Sequence, residues 1–246
     1  MKNNSNDNLN VKDFWDMIDN KEQIFQDVTK WSEETKKDFA LMLKKLKDNN
    51  FSNAQKKGAY LEEIVSFIIE HSFFLKIYRN VHTGTNEIDE VIEVSDRGKI
   101  ALQTLNLPLE ILGIDSNIFI GECKNYADRL NVTYVGKFYS LLVNTNTPLG
   151  IIFTPNGLTG NESEYKDAHG LVKVLHIIEK AKNNNDLYIL TFTLDDFDKL
   201  LDGYTLFDLI KSKKNALKLS SNYESFLSDN RHEGIEPISN QISAIS

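Results

Sequence analysis

The sequence predicts an α/β fold in which a mixed sheet is flanked by helices. Apolar residues recur at helical spacing from Val11 to Phe73, after which short β-branched and aromatic runs take over. Beyond Asn117, strand-like and helix-like segments alternate, a pattern that calls for right-handed crossovers and helices packed on a sheet.

Residues 1–10 are rich in Asn and read as a disordered tail. In 11–50, residues such as Trp15, Ile18, Val28, Phe39, Leu43 and Leu46 line two amphipathic helices that break near Thr29 to Ser32 and form an N-terminal helical extension. Asp48 to Asn53 is a loop, and a third helix from Ala54 to Phe73 is apolar around most of its circumference, which requires more than one packing layer. Lys76 to His82 and Glu87 to Val94 form a hairpin around residues 83–86, and Gly98 to Leu112 is helical on either side of Pro108. The strand Asn117 to Lys124 follows, then a helix from Asn131 to Val143 and the strand Leu149 to Thr154. A helix from Glu162 to Asn183 and a strand from Asp186 to Thr193 come next. Acids open the helix at Leu194, where they favour its dipole; Gly203 closes it, and a last helix spans Leu206 to Leu219. Residues 51–220 are thus one domain, and 221–246 read as a polar C-terminal tail.

Composition narrows the function. With 41% hydrophobic and 26% charged residues in 246, the chain is an ordinary globular protein. Its longest apolar stretch, Phe67 to Leu75, is broken by Glu70 and His71 and is too short for a bilayer, so no membrane is expected. The first residues lack the apolar core of a signal peptide. The single Cys123 excludes an internal disulfide or a thiolate-rich zinc site, and a reducing cytoplasm is the expected location. A net charge of −8 argues against a broad basic surface for nucleic acid. Residues 86–122 hold eight acids against two bases, which suits a solvated face, or a hard cation where the carboxylates converge.

Residues two apart on a strand share a face, so Glu122 and Lys124 point together and Cys123 points to the buried side; Glu87 and Asp89 are paired in the same way. Adjacent strands can bring Asp89 and Glu122 close enough to bind one Mg²⁺, which would polarise a phosphate and acidify water. A lysine beside it positions or deprotonates the attacking water and offsets charge building on phosphorus. By itself Glu-x-Lys is an ordinary feature of half-exposed strands. Here it ends the apolar run Ile118-Phe-Ile and follows Gly121, where a charged pair is costly without a partner or metal.

Asn86-Glu-Ile-Asp89 followed by Gly121-Glu-Cys-Lys-Asn-Tyr126 resembles the PD-(D/E)xK nuclease signature. Lys57-Gly-Ala-Tyr-Leu-Glu62 resembles the Gly-x-x-Phe/Leu-Glu helix of Mrr-like restriction endonucleases, and Leu149 to Gly160 and Leu194 to Gly203 are similar to later parts of that pattern. The resemblance covers about Lys56 to Leu219. It implies a restriction-endonuclease-like core and an endonuclease that hydrolyses DNA phosphodiester bonds, leaves a 5′-phosphate, and serves restriction or anti-phage defence. It also implies Asp89, Glu122, Lys124 and Glu62 as catalytic residues, and Mg²⁺, with Mn²⁺ substituting, held by Asp89, Glu122, the Cys123 backbone carbonyl and, through water, Glu62. Ile88 stands where the pattern has proline, and the 33 residues from Asp89 to Glu122 imply an inserted element around Gly98 to Asp115. The alternative is a catalytically silent relative used for DNA binding or assembly, which the negative charge favours.

Other candidates have ordinary readings beside functional ones. Glu63 is one residue out of register and solvated. Tyr126 either touches a phosphate or base or packs at the rim of the sheet. Lys137 reads as a solvated helix lysine. The five histidines lack pairwise metal spacing, and the Pro155-Asn-Gly-Leu-Thr-Gly segment reads as a plain turn. The N-terminal helices pack on the core by default, with a homodimer seam or a partner subunit as alternatives.

Overall fold

Capping residues set the helix boundaries in the structure, a computed structural model that describes residues 11–82, 87–161, 164–183, 186–222 and 224–227. After α1 (Val11–Thr29), Ser32 accepts a hydrogen bond from the Thr35 N–H and starts α2 (Glu33–Asp48). Glu33 and Glu34 lie in the first turn of α2 and Lys45 and Lys47 in its last, each favourable to the dipole, and Asn49 ends the helix in the left-handed conformation. Asn53 caps α3 (Ala54–Glu70) by accepting from the Lys56 N–H. The helix stops at Glu70, short of the expected Phe73, because residues 71–74 turn the chain into the sheet.

The strands are β1 (Leu75–His82), β2 (Glu87–Val94), β3 (Ile118–Cys123), β4 (Leu149–Phe153) and β5 (Tyr188–Phe192). They form one five-stranded mixed sheet in sequence order. β1, β2 and β3 are an antiparallel meander, and β3, β4 and β5 run parallel. Between β2 and β3 lie α4 (Asp96–Leu105) and a 3-10 turn (Leu109–Leu112), on either side of Pro108 as the sequence predicts. The parallel strands are joined by α5 (Val132–Asn144) and α6 (Asp167–Asn183), and α7 (Leu194–Leu201), α8 (Leu206–Leu219) and α9 (Glu224–Leu227) complete the chain.

The sheet separates two apolar clusters. Leu61, Ile64 and Ile68 of α3 pack with Phe119, Ile151, Phe153 and Phe192, and α7 and α8 close the same side. Val135 and Leu142 of α5 and Val172 of α6 pack with Ile120, Ile152 and Ile189 on the other. β4, covered on both faces, is buried throughout and reads as the uninterrupted run Leu-Gly-Ile-Ile-Phe.

The N-terminal extension belongs to this core: Phe25, Phe39, Leu43 and Leu46 lie in the α3 cluster, and Lys47 of α2 bonds Asp198 of α7 at 2.6 Å. In the segment read as a polar tail, α9 forms a turn of helix whose Leu227 is buried. The helix expected from Glu162 begins at Asp167, whose φ of 54° breaks the helical path from residues 164–166; residues 162–163 lie outside the described residues. The hairpin turn 83–86, the tail 1–10 and residues 228–246 lie outside the described residues.

Helix α5 packs tightly on β4 at Gly150, where an added Cβ would stand 2.5 Å from the Phe138 ring and 2.8 Å from Leu142. Gly150→Ala is expected to destabilise the fold by about 1–3 kcal/mol through overpacking, read from urea denaturation midpoints.

Candidate active site

The candidate site forms where β2 and β3 part. Their pairing runs from Glu93 opposite Ile118 to Glu90 opposite Gly121, and the next step in this register places Asp89 opposite Glu122. There the ladder is replaced by side chains. Asp89 Oδ2 accepts the Cys123 N–H at 3.1 Å and a bond from Lys124 Nζ at 3.0 Å, and the same Nζ donates to Glu122 Oε1 at 2.6 Å. Lys124 lies one residue beyond β3, yet its N–H donates to Phe153 O, so its backbone stays tied to β4. The three charged side chains are only 21–25% exposed.

A local break in β1 accompanies this crossing. Asn80 sits between the pairs Arg79–Glu90 and Val81–Ile88 with φ 52°, the left-handed region, where the antiparallel ladder twists. Strand alternation would place Ile88 on the face of Ile92, but Ile88 joins the cluster of Ile120 and Ile152 while Ile92 joins the α3 side. Asp89 is thereby held at a turning point of β2. The N–H and C=O of a strand residue point to the same side, so the Cys123 carbonyl faces the gap beyond Gly121 where Asp89 sits.

Asp89 and Glu122 share one donor, so their bonded oxygens can be no farther apart than those two bonds laid end to end. That span is comparable with the roughly 4–5 Å between oxygens across one hard cation. Glu62 projects from α3, whose first turn is anchored when Asn125 Nδ2 donates to Lys57 O at 2.8 Å. Burial and the charge of Asp89 push the Glu62 carboxyl up, while Arg79 and Lys124 draw it back. No hydrogen bond or ion pair joins Glu62 to the other three among the described residues. Glu63 is exposed.

The electrostatics show an excess of negative charge. Burial, reinforced by Asp89, raises the Glu122 carboxyl against the pull of Lys124. Burial works against the Lys124 ammonium, but its bonds to Glu122 and Asp89 outweigh burial and hold it above its ordinary range. Among the described residues, no group of three or more His, Cys, Asp or Glu side chains is placed to hold a metal ion, and Lys124 sits between Asp89 and Glu122.

Glu90 is the functional candidate that sequence reasoning passed over. It is fully buried, and no donor meets either of its carboxyl oxygens; the Cys123 thiol lies beside it without hydrogen-bond geometry. Gly121 makes its room, since a Cβ there would stand 3.0 Å from Glu90 Oε2. Burial pushes Glu90 up to about 8, the thiol opposes this, and Asp89, Glu62 and Glu122 reinforce it. Burial and then Glu90 raise the Cys123 thiol in turn. The sequence signal was Gly121, but its partner is known only from the register. Arg79 and Asn125 likewise enter the site only through strand pairing and the α3 anchor.

Tyr126 lies at the rim, 45% exposed, with its ring 5.2 Å from that of Tyr134. Lys137 is exposed on α5. His176 is buried with Nδ1 bonded to Leu187 O, a structural role. His232 lies outside the described residues.

Compared with family models, with curated proteins and with solved structures, the chain finds no match in any of the three.

Proposed function

We propose that the chain is a divalent-metal-dependent endodeoxyribonuclease whose meander, α3 and the β3–α5–β4 unit form a restriction-endonuclease-like core. The observation that carries this reading is the convergence of Asp89 and Glu122 on Lys124 at the point where β2 and β3 separate. The donor set suits a hard cation: carboxylate oxygens, an open-sided backbone carbonyl at Cys123, and net negative charge that a cation relieves. Asp89, Glu122 and the Cys123 carbonyl would hold Mg²⁺ or Mn²⁺, with Glu62 acting at longer range. A bound ion supplies Lewis acidity toward the phosphodiester and a more acidic water. Lys124, bonded to both carboxylates, would orient the attacking water and balance charge gathering on the phosphorus oxygens. Glu62 is a further carboxyl within the field of Asp89 and Lys124, and its raised pKa favours accepting a proton.

A role in restriction or anti-phage defence, and a reducing cytoplasmic setting for the buried thiol, complete the proposal by analogy. No helix among the described residues is long and apolar enough to cross a membrane. The silent-relative reading draws on one observation, the Lys124 ammonium already bonded to both carboxylates. Exposed Leu41 and Ile24 on the N-terminal helices are where a second copy or partner subunit would dock in either reading.

Plasmid and oligonucleotide substrates incubated with Mg²⁺, Mn²⁺ or chelator test the proposal. Cleavage is expected with either ion, none with chelator, and a loss of about 10³-fold or more in Asp89→Ala. Cleavage that survives in Asp89→Ala, or a folded protein that holds DNA and never cuts it, rejects the nuclease reading.

A further inference from the structure

A second cavity lies along the edge strand β5, between α6 and α8, and continues into a cleft at the C-terminal ends of β4 and β5. Its inner chamber, about 80 Å³, is lined by His169, Lys173, Thr191, Lys213 and Ser221 against an apolar wall that includes Val172, with no carboxylate. The outer cleft, about 560 Å³, adds Arg129 and Asn156. Its acids are in part engaged: Asp196 bonds Lys213 at 2.9 Å and Glu224 bonds Lys199 at 3.0 Å.

Lys173 has no such partner. It is 6% exposed, and its Nζ is buried without a hydrogen bond. Its polar environment is the face of the Tyr165 ring, 5.1 Å away. A buried ammonium without an acceptor is costly unless an anion satisfies it. The chamber is several times the ~10–15 Å³ that one water needs, so it accommodates a tetrahedral oxyanion. Lys213, Thr191 and Ser221 line the same space. Tyr165 and Ser220 hydroxyls bond at 2.9 Å, tying the segment before α6 to the end of α8 beside the chamber.

We propose that this cavity binds a phosphate monoester, with Lys173 seating the phosphate and the outer cleft receiving the group esterified to it. The positive field is visible in His169, which burial and the charges of Lys213, Arg129 and Lys173 push down to about 4. The imidazole is therefore neutral at physiological pH, a hydrogen-bonding group for the same ligand. Asn156 Nδ2 donates to the carbonyls of Tyr126 and Ala127 at 2.9 Å, so the loop walling the cleft is joined to the loop that follows Lys124. The phosphate belongs either to a free mononucleotide or to a 5′-phosphorylated strand end. The proposal rests on this cavity alone and stands apart from the cleavage reaction.

Calorimetry on the full chain with chelator present keeps the two apart. The probes are inorganic phosphate, a nucleoside 5′-monophosphate, and one oligonucleotide with and without its 5′-phosphate. Saturable binding of a phosphate-bearing probe is expected, at least tenfold weaker in Lys173→Met and partly restored in Lys173→Arg. Preference for the mononucleotide identifies a free ligand, and preference for the phosphorylated over the unphosphorylated oligonucleotide identifies a strand end; either supports the site. Lys173→Gln is the second neutral variant, and circular dichroism establishes that each is folded. Absence of saturable binding by every phosphate-bearing probe, or equal binding by the neutral variants, overturns the proposal.

Discussion

Lys124→Met is expected to cut metal-dependent cleavage by about 10²–10³-fold while tightening divalent-ion binding about tenfold or more. The two effects have one cause. Lys124 Nζ bonds both Asp89 and Glu122, so in the metal-free protein it competes with a cation for the same oxygens. Removing the ammonium frees both carboxylates and removes a like charge a few ångströms from the ion, a repulsion worth roughly several kcal/mol at an effective dielectric of ~20 before screening. Methionine retains the aliphatic length, so packing beside the sheet is preserved. In the proposed reaction the same substitution also removes the group that would orient water and offset charge in the transition state. Mn²⁺ titration followed by electron paramagnetic resonance reads the first effect, and single-turnover cleavage at saturating metal reads the second. Unchanged cleavage with tighter Mn²⁺ binding would reduce Lys124 to a counter-ion. Loss of both would mean that Lys124 holds the carboxylates in place.

Glu90→Gln is expected to remove a pH dependence of stability that the parent chain carries. Glu90 has a folded pKa of about 8 against an ordinary 4.5, so the folded state binds its proton more tightly than the unfolded chain. The associated stability is fully present below about 4.5 and is lost as pH rises through 8, at most a few kcal/mol over that window. The cause is burial without a hydrogen-bond donor, which penalises the ionised carboxylate. Glutamine keeps the shape and cannot ionise, but it buries an amide at a cost of about 1–3 kcal/mol. The variant is therefore weaker than the parent near pH ~5, crosses it within the window where the parent loses stability, and is the more stable of the two by pH ~8. Urea unfolding across that range in chelator reads the crossing, and parallel stability curves would show that Glu90 does not titrate within it. Glu62 and Glu122 are shifted in the same direction and remain in both chains, so the difference isolates Glu90.

The α/β class, most element boundaries and the pairing of Glu122 with Lys124 were legible in the sequence because they rest on local periodicity. Period-two alternation puts Glu122 and Lys124 on one side of β3 and Cys123 on the other, and the structure has them so. Ser32, Asn53 and Thr205 cap helices where their short side chains reach free N–H groups a few residues on, an equally local event. The start of α6 differs because Asp167 takes the left-handed conformation, a backbone break that apolar periodicity does not record.

The candidate site divides along the same line. That Asp89 lies across from Glu122 depends on a strand register reached over the excursion of α4, and that it grips the Cys123 N–H depends on where the ladder ends. Glu90 was one acid among eight until the register set it against Gly121, and Lys173 was one more helix lysine until α6, β5 and α8 closed around it. Local sequence thus determined which residue types share a face. Which faces meet, which charges are stripped of water and which are left without a partner were decided by the tertiary structure, because desolvation and cross-strand contact depend on distance in space and not along the chain.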